Sequence, residues 1–317
     1  MVFDRAILSK IDSELENYVE KDTNLYNASK HLLFAGGKRI RPYLSVLTYL
    51  LKRDDISEVL APAISVELIH NYTLIHDDIM DNDDERRGKP TVHIVYGEPT
   101  AILAGDLLYA KAFEALSNIG DSKKALEVLK VLSKACVEVC EGQTDDMEFE
   151  NEFPTLEEYL SMISKKTGAL IVAPIEIGAI MAECSSEERE ALYNYAKRIG
   201  MTFQIQDDVL DLIGDQKTIG KPVGSDILEG KKTIIVIHAI ENLPNDKKER
   251  LLQILGNKNA SKEEIAEAIV ILSDSIEYVK DIMKNATNEA KECLKIFDSE
   301  RRKNLEKVAD FIIERIH

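Results

Sequence analysis

The chain has 317 residues, 44% of them hydrophobic, which is enough to bury a large core in one or two domains. Its formal net charge of −17 argues against general nucleic-acid binding, because that needs a basic surface. There are only 4 cysteines, and no neighbouring cysteine or histidine completes a zinc set with Cys136 and Cys140, so we expect neither disulfides nor zinc.

The first residues of the chain predict no secretory signal. Charges at Asp4, Arg5 and Lys10 leave no apolar core of the length that a signal peptide needs. No stretch approaches the ~20 uninterrupted apolar residues of a membrane span. We therefore expect a cytoplasmic protein with no membrane span.

Most of the sequence has the pattern of α-helices. Apolar residues recur at helical spacing with Ala, Leu, Glu and Lys between them, and the 8 prolines and 15 glycines concentrate between the helical runs. Strand-like alternation is scarce, and no linker or change of composition marks a domain boundary. The sequence predicts a single all-α domain of ten or more helices over residues 1–317.

The second predicted helix, residues 25–34, ends at paired glycines, which let the backbone approach a ligand closely. Three cations follow within four residues: Lys38, Arg39 and Arg41. Cations packed so closely repel one another unless an anion neutralises them. The segment is either a phosphate site or a solvated, basic helix start.

The run over residues 56–84 starts as an apolar helix and ends in acids. Helical geometry puts Asp77 and Asp81 about 40° apart on one face, with Asp78 beside them. Crowded carboxylates either take up protons or gather a cation, and oxygen donors of this kind suit Mg2+. A solvated acidic surface is the alternative for a single motif of this type.

One neighbouring feature and one distant feature favour the metal-binding interpretation, and a histidine on the same face is a candidate contact for the ligand. His70 lies two turns before Asp77 on the same face, so it is a candidate contact for a diphosphate as well as an ordinary core histidine. Phosphate-type donors follow the acids directly: Arg86, Arg87 and Lys89. The same acid spacing recurs far along the chain: Asp207, Asp208 and Asp211.

Further candidate groups lie between and after the two acidic runs. A predicted helix over residues 122–150 carries Gln143 and Asp146 as neighbours. Lys165 and Lys166 then interrupt an apolar stretch, where they need an acidic partner or cap a helix. A glycine-rich loop with spaced lysines, typical of a phosphate cradle but not a P-loop, follows the second acidic run: Gly214, Gly220, Lys221, Gly224, Gly230, Lys231 and Lys232.

Both aspartate sets could hold metal ions on one diphosphate if their helices are antiparallel neighbours in a bundle. Metal ions and surrounding cations would stabilise the charge that departs when an allylic C–O bond ionises. The residues therefore favour ionisation of an allylic diphosphate beside an alkene.

Taken together, these motifs give the chain a resemblance to the trans-isoprenyl diphosphate synthases, and in particular to archaeal short-chain members that make geranylgeranyl and farnesyl diphosphate. Six blocks occur in the family's order over nearly the whole chain: Gly36-Gly37-Lys38-Arg39-Ile40-Arg41-Pro42, the first aspartate motif with Arg86-Arg87-Gly88, Gly142-Gln143 with Asp146, Lys166-Thr167, Phe203-Gln204 with the second aspartate motif, and Gly220-Lys221 with Lys231.

The resemblance implies a helical bundle of the isoprenoid synthase type, a homodimer, and Mg2+ as the cofactor, with about two or three ions per subunit. It implies head-to-tail condensation of isopentenyl diphosphate with an allylic diphosphate: dimethylallyl, geranyl or farnesyl diphosphate.

The resemblance also implies roles for single residues. Metal ions would be held by Asp77, Asp81 and Asp207, assisted by Asp78, Asp208 and Asp211. Isopentenyl diphosphate would be held by Lys38, Arg41, His70 and Arg87. The allylic diphosphate would be surrounded by Arg86, Lys166, Thr167, Gln204, Lys221 and Lys231, of which the first four act directly in catalysis. Asp146 would orient Lys166.

Product length is expected to depend on Tyr72 and Thr73, the fifth and fourth residues before Asp77. The growing chain should run along the first acidic helix toward its N-terminus, where Thr73 is small and Tyr72 is bulky. We predict geranylgeranyl diphosphate as the main product, with farnesyl diphosphate formed on the way or released.

Two alternatives remain open. A terpene cyclase shares the acidic first motif and the helical fold, but it usually has a different second metal motif and lacks the second basic set. A non-catalytic calcium-binding or regulatory subunit would normally have lost some of the six acids. An EF-hand starting at Asp81 would also place Arg86 where glycine is required.

Overall fold

The structure is a computed structural model that describes residues 3–214 and 223–314. Within those ranges the chain is almost entirely helical, and its one sheet is a two-stranded hairpin of β1 (Glu85–Arg86) and β2 (Lys89–Pro90). No helix in the same ranges is long and apolar enough to cross a membrane. The prediction of an all-α fold is confirmed.

The α-helices, numbered in chain order, are α1 (Arg5–Tyr18), α2 (Asn24–Leu33), α3 (Ile40–Tyr49), α4 (Ser57–Met80), α5 (Val92–Tyr96), α6 (Glu98–Leu116), α7 (Ser122–Glu148), α8 (Leu156–Ile163), α9 (Ala169–Met181), α10 (Ser186–Ile213), α11 (Ser225–Glu229), α12 (Ile234–Asn242), α13 (Asn245–Ile254), α14 (Lys262–Ile271), α15 (Ser273–Cys293) and α16 (Ser299–Ile313). A π-helical turn (Ser164–Gly168) joins α8 to α9, and a 3-10 turn (Leu294–Ile296) follows α15.

The chain divides into two compact units, and neither is a continuous segment. The first unit comprises Met1–Cys136, Leu170–Tyr193 and Lys295–Leu305. The second comprises Val137–Ala169, Asn194–Leu294 and Glu306–His317. Because α7 and α10 each contribute residues to both units, no change of composition marks the boundary. The two units do not test the prediction of one domain over residues 1–317, which therefore stays a prediction.

In the first unit, α4 is buried along most of its length. Ile64, Leu68 and Ile69 are each 0% exposed. Burial of these apolar side chains stabilises the helix in this position. The helix ends at Asp81, whose backbone N–H donates to the carbonyl of Asp77 at 2.8 Å. The acidic residues therefore lie at the C-terminal end of a rigid, buried helix.

The hairpin that follows α4 carries the basic residues of the first motif. Its two loop residues, Arg87 and Gly88, have φ values of 56° and 70°. Positive φ at both loop residues is typical of a type I′ turn, which matches the twist of the two strands. The sequence analysis missed these strands because two residues are too few to show alternation.

The second unit has its own apolar core, to which α10 contributes one face. Ile205, Val209 and Leu212 pack there with the residues of α12, including Ile235 and Ile237. Helical geometry places the polar residues of α10 on the side next to this face. Core packing thereby fixes the direction in which the second aspartate motif projects.

Candidate active site

Arg39 is the buried centre of the basic segment after α2. Its side chain is 6% exposed and donates to Asp12 and Glu67 at 2.9 Å each and to the Leu33 carbonyl at 2.7 Å. Glu67, on α4, is itself only 3% exposed. Arg39 is thus committed to holding α3 against α4, whereas Lys38 is exposed and Arg41 is half-buried.

The second of the paired glycines lies close to the side chain of Arg87. Gly36 and Gly37 have φ values of 109° and 136°, which favour glycine. A Cβ on Gly37 would meet Arg87 Nη1 at 3.2 Å, and that nitrogen donates to the Gly36 carbonyl. The hairpin arginine and the glycine segment, 51 positions apart, therefore form one basic surface in the first unit.

His70 lies among these arginines, and its pKa is held well below 6.5. Burial is the main cause, and the positive charges of Arg41, Arg87, Arg86 and Arg39 lower the pKa further. The imidazole is therefore neutral near pH 7, and the surrounding charge favours an anion.

The first aspartate motif divides by burial. Asp78 is 1% exposed and accepts from Arg86 Nε, while Asp83 lies 3.6 Å from the same guanidinium. Burial raises the pKa of Asp78, against the lowering effect of Arg86. Asp77 is half-buried and Asp81 is exposed, so these two carboxylates project outward from the end of α4.

In the second aspartate motif the middle residue is again buried, and the last residue, Asp211, is buried as well at 6% exposed. Asp207 is exposed, whereas Asp208 is 5% exposed and accepts from the Tyr159 hydroxyl and from Gln204 Nε2, the latter at 3.0 Å. Burial raises the pKa of Asp208 to about 8, because these neutral donors compensate desolvation only in part.

Asp211 accepts hydrogen bonds from the start of α11, the helix that follows the second motif. Its carboxylate accepts from the Ser225 hydroxyl at 2.5 Å and from the Asp226 backbone N–H at 3.1 Å. Lys231 is near the same residues, with Nζ 3.1 Å from Glu229 and 3.7 Å from Asp226. Burial alone would lower the pKa of Lys231, but these two carboxylates raise it above its usual value.

The π-helical turn places two lysines against α7. Lys165 Nζ is 3.0 Å from Asp145, and Lys166 Nζ is 2.5 Å from Asp146, as predicted for the second pair. A Cβ on Gly142 would meet the Lys166 backbone nitrogen at 2.3 Å, so only glycine allows this close approach. The π turn, a form often found at functional sites, carries Thr167 as well.

Thr167 links the π turn to α10. Its hydroxyl donates to Gln204 Oε1 at 2.6 Å, and the same amide donates from Nε2 to Asp208 at 3.0 Å. The two residues predicted to contact the allylic diphosphate are therefore hydrogen-bonded to each other and to the second aspartate motif.

An aromatic group joins α4 to α6, and its members on α4 precede the first motif in the sequence. The Tyr72 ring makes edge contacts with His76 and Tyr109 at centroid distances of 4.7 Å and 5.2 Å, and Tyr109 contacts Phe113 at 5.0 Å. Thr73 turns its hydroxyl to the His70 carbonyl at 2.8 Å. Of the two residues predicted to limit product length, Tyr72 alone belongs to a bulky cluster.

The donor chemistry of both motifs fits Mg2+. Mg2+ keeps several waters and takes one or two carboxylates plus substrate phosphates rather than an all-protein cage. Residues 3–214 and 223–314 contain no group of three or more acidic, histidine or cysteine side chains that could hold a metal ion by themselves. Asp78 Oδ2 is buried and has no hydrogen-bond donor among the described groups, so a nearby cation would satisfy it.

Comparison with known proteins identifies the family. The family model for polyprenyl synthetase matches residues 22–272. A short chain isoprenyl diphosphate synthase from Methanocaldococcus jannaschii is 75% identical over 317 residues, covering 100% of this chain and 97% of that protein. The chain belongs to the polyprenyl synthetase family.

Other members of the polyprenyl synthetase family agree in sequence and in structure. A geranylgeranyl diphosphate synthase from Methanosarcina mazei is 44% identical and covers 97% of this chain and 95% of its own length. The crystal structure of a geranylgeranyl pyrophosphate synthetase from Pyrococcus horikoshii superposes with a TM-score of 0.91 at 47% identity, covering 98% of this chain and 96% of that one.

Family membership confirms the resemblance drawn from the motifs and makes the chain a trans-prenyltransferase with the helical fold of the isoprenyl synthases. Neither the terpene cyclase nor the non-catalytic subunit finds support among these relatives.

The structure groups the predicted site residues of this polyprenyl synthetase within each unit. In the first unit the arginines surround His70, and in the second unit Thr167, Gln204 and Asp208 are joined by hydrogen bonds. Lys221 lies outside the described residues. The individual roles of all these residues stay predictions.

Sequence reasoning missed several residues that hold the site of this synthase together. Tyr159 bonds to Asp208 from 49 positions away, and Ser225 bonds to Asp211. Neither has a local pattern that would have marked it, because each contact forms only when separate helices pack. Arg39 was visible as part of the basic segment, but its buried partner Glu67 lies inside an apolar run.

Proposed function

We propose that the chain condenses isopentenyl diphosphate with allylic diphosphates, with geranylgeranyl diphosphate as its main product. The observation that carries the proposal is the combination, at one end of α4, of outward carboxylates and a group of arginines around a neutral His70. Such a group binds a polyanion, and the carboxylates add the ligands that a phosphate-bound Mg2+ requires.

Isopentenyl diphosphate is the anion proposed for the basic surface. Lys38, Arg41 and Arg87 supply positive charge there, and His70 supplies a neutral N–H donor. Arg39 is not part of this set, because Asp12 and Glu67 already neutralise it. Binding without a metal ion follows from the excess of cations on this surface.

The allylic diphosphate is proposed to contact Arg86, Lys166, Thr167, Gln204, Lys221 and Lys231. Asp77, Asp81 and Asp207 would hold Mg2+, with Asp78, Asp208 and Asp211 assisting. When bound, Mg2+ neutralises charge that develops on the departing diphosphate. The chain's own lysines and arginine add donors to the same oxygens, and Asp146 keeps Lys166 in place at 2.5 Å.

Geranylgeranyl diphosphate follows from the side chains on α4. Thr73 is small and donates its hydroxyl to the His70 carbonyl of the preceding turn, so it leaves room for a growing chain. Tyr72 is bulky and braced by His76 and Tyr109, so we assign it the position at which elongation stops. Farnesyl diphosphate is an intermediate or a minor product.

Product sizing tests the proposal. The full chain is incubated with Mg2+, labelled isopentenyl diphosphate and each of the C5, C10 and C15 allylic starters, and the products are separated by chromatography. We expect C20 product from every starter. Failure to add five-carbon units would refute the proposed function, and cyclic hydrocarbon formed without labelled isopentenyl diphosphate would favour a cyclase.

A further inference from the structure

We propose that Tyr159 is a positioning residue for the allylic substrate, acting through Asp208 and Gln204 on Thr167. The inference rests on the proposed function, which assigns the substrate contacts to Thr167 and Gln204. Tyr159 belongs to none of the six motif blocks of the sequence and lies on α8, in the second unit.

A continuous chain of hydrogen bonds links these side chains. The Tyr159 hydroxyl donates to Asp208 Oδ2, and Gln204 Nε2 donates to Asp208 Oδ1 at 3.0 Å. The Gln204 amide oxygen in turn accepts from the Thr167 hydroxyl at 2.6 Å. Asp208 and Gln204 each use a different atom for each of their two partners. The series of hydrogen bonds therefore fixes which way the Gln204 amide is oriented.

Burial makes this chain sensitive to the loss of one member. Tyr159 is 3% exposed and Asp208 is 5% exposed, so water does not readily replace the phenol. A buried acceptor that loses its donor takes whatever donor remains, and here that is the Gln204 amide. Removal of the phenol is therefore expected to draw Gln204 toward Asp208 and to weaken its bond to Thr167.

The Tyr159 ring has a separate role, which allows the hydroxyl to be tested alone. The ring packs in the core of the second unit with residues such as Met162, Ile205 and Val209. Tyr159→Phe keeps this packing and removes only the hydroxyl. Tyr43→Phe is the matched control, since Tyr43 is 1% exposed, lies in the first unit, and accepts the backbone N–H of Asp4 at 3.0 Å through its hydroxyl.

The experiment compares Michaelis constants of the full chain for the two substrates. Because a buried side-chain hydrogen bond is lost, Tyr159→Phe should raise the KM for the allylic diphosphate about tenfold. The KM for isopentenyl diphosphate should stay unchanged, and Tyr43→Phe should change neither constant. An unchanged allylic KM, or an equal rise of both constants, would overturn the inference.

A double-mutant cycle tests the path through Thr167. If the phenol acts by orienting that hydroxyl, Tyr159→Phe should add little to the allylic KM of Thr167→Val. Independent, multiplicative effects would contradict the path. Should Tyr159→Phe not fold, Tyr159→Met keeps an apolar side chain in the core without the hydroxyl and should give the same selective rise, whereas an unchanged allylic KM there would also refute the path.

Wild-type activity distinguishes a failure of the proposed function from a failure of the inference about Tyr159. A wild-type chain that joins no five-carbon units would remove the proposed function and this inference together. A fully active wild-type chain with an unaltered Tyr159→Phe variant would remove the inference alone.

Discussion

Asp78 and Asp208 hold the same position in their motifs, and both are buried beside a donor from another element. Asp78 receives a guanidinium from Arg86, which lowers its pKa against the effect of burial. Asp208 receives a phenol and an amide, which are neutral, and its pKa rises to about 8. Burial raises the pKa of both residues, but only Asp78 has a charged donor beside it, and the negative charge of Asp226 raises the pKa of Asp208 further.

His70 supplies the pH prediction. Its folded pKa lies well below 6.5, so on acidification the unfolded chain binds a proton that the folded chain does not. The folded state should therefore lose stability as pH falls below about 6.5, and His70→Gln should lose less over the same range. Urea unfolding midpoints of both chains at pH 7.5 and pH 5.5 measure the difference. Equal losses in both chains would show that the His70 pKa is not depressed.

At the scale of single elements, the π turn depends on Gly142. Alanine is the better helix former by about 1 kcal/mol, which alone would stabilise α7. However, a Cβ at this position would meet the Lys166 nitrogen at 2.3 Å and its Cα at 2.8 Å, both of them backbone atoms.

Gly142→Ala should therefore lower the free energy of unfolding by about 1–3 kcal/mol, as overpacking does, and should raise the KM for the allylic diphosphate by moving Lys166. Chemical unfolding and steady-state kinetics measure the two effects. Gly120→Ala is the control, since nothing lies within 4 Å of a Cβ there. A free energy of unfolding equal to wild type in Gly142→Ala would mean that α7 moves away from Lys166 without loss of stability, and would contradict this prediction.

The contact between α4 and α6 carries the prediction on product length. Tyr72→Ala removes the ring that His76 and Tyr109 brace, and should shift the products from C20 to longer chains. Tyr72→Phe keeps the ring and should leave the product at C20. Chromatographic sizing compares both variants with the wild-type chain, and an unchanged C20 product from Tyr72→Ala would rule out Tyr72 as the limit.

For the whole molecule, sequence periodicity was sufficient for the fold class and for the buried helix that ends in acids, because both depend on local spacing. The pairing of Lys166 with Asp146 was expected only from the family resemblance, because the residues alone left open whether the lysines had an acidic partner or capped a helix. The Tyr159–Asp208 and Arg87–Gly36 contacts were not predictable. They join residues about 50 positions apart, and only the packing of helices decides which polar groups meet.

The assembly prediction comes from apolar side chains on the surface of the first unit. Ile94, Val95 and Leu103, on α5 and α6, are 52%, 49% and 57% exposed. Exposed apolar residues on two helices that contact each other are typical of a contact surface, and we expect a homodimer formed there.

Leu103→Glu should shift the protein toward monomer in sedimentation experiments at micromolar concentration, because a buried charge opposes association. Val270→Glu is the matched control, since Val270 is 71% exposed on α14 in the second unit. A wild-type monomer, or equal behaviour of both variants, would contradict a dimer through α5 and α6.

The outward carboxylates of the two aspartate motifs are predicted to serve one metal-assisted reaction. The direct measurement is the rate of labelled isopentenyl diphosphate incorporation against Mg2+ concentration, for the wild-type chain and for Asp81→Asn and Asp207→Asn. We predict no incorporation in the wild-type chain without Mg2+, and rates at least about a hundredfold lower in each variant with Mg2+ present, because each removes a charged ligand. Wild-type rates and an unchanged Mg2+ dependence in either variant would contradict the account.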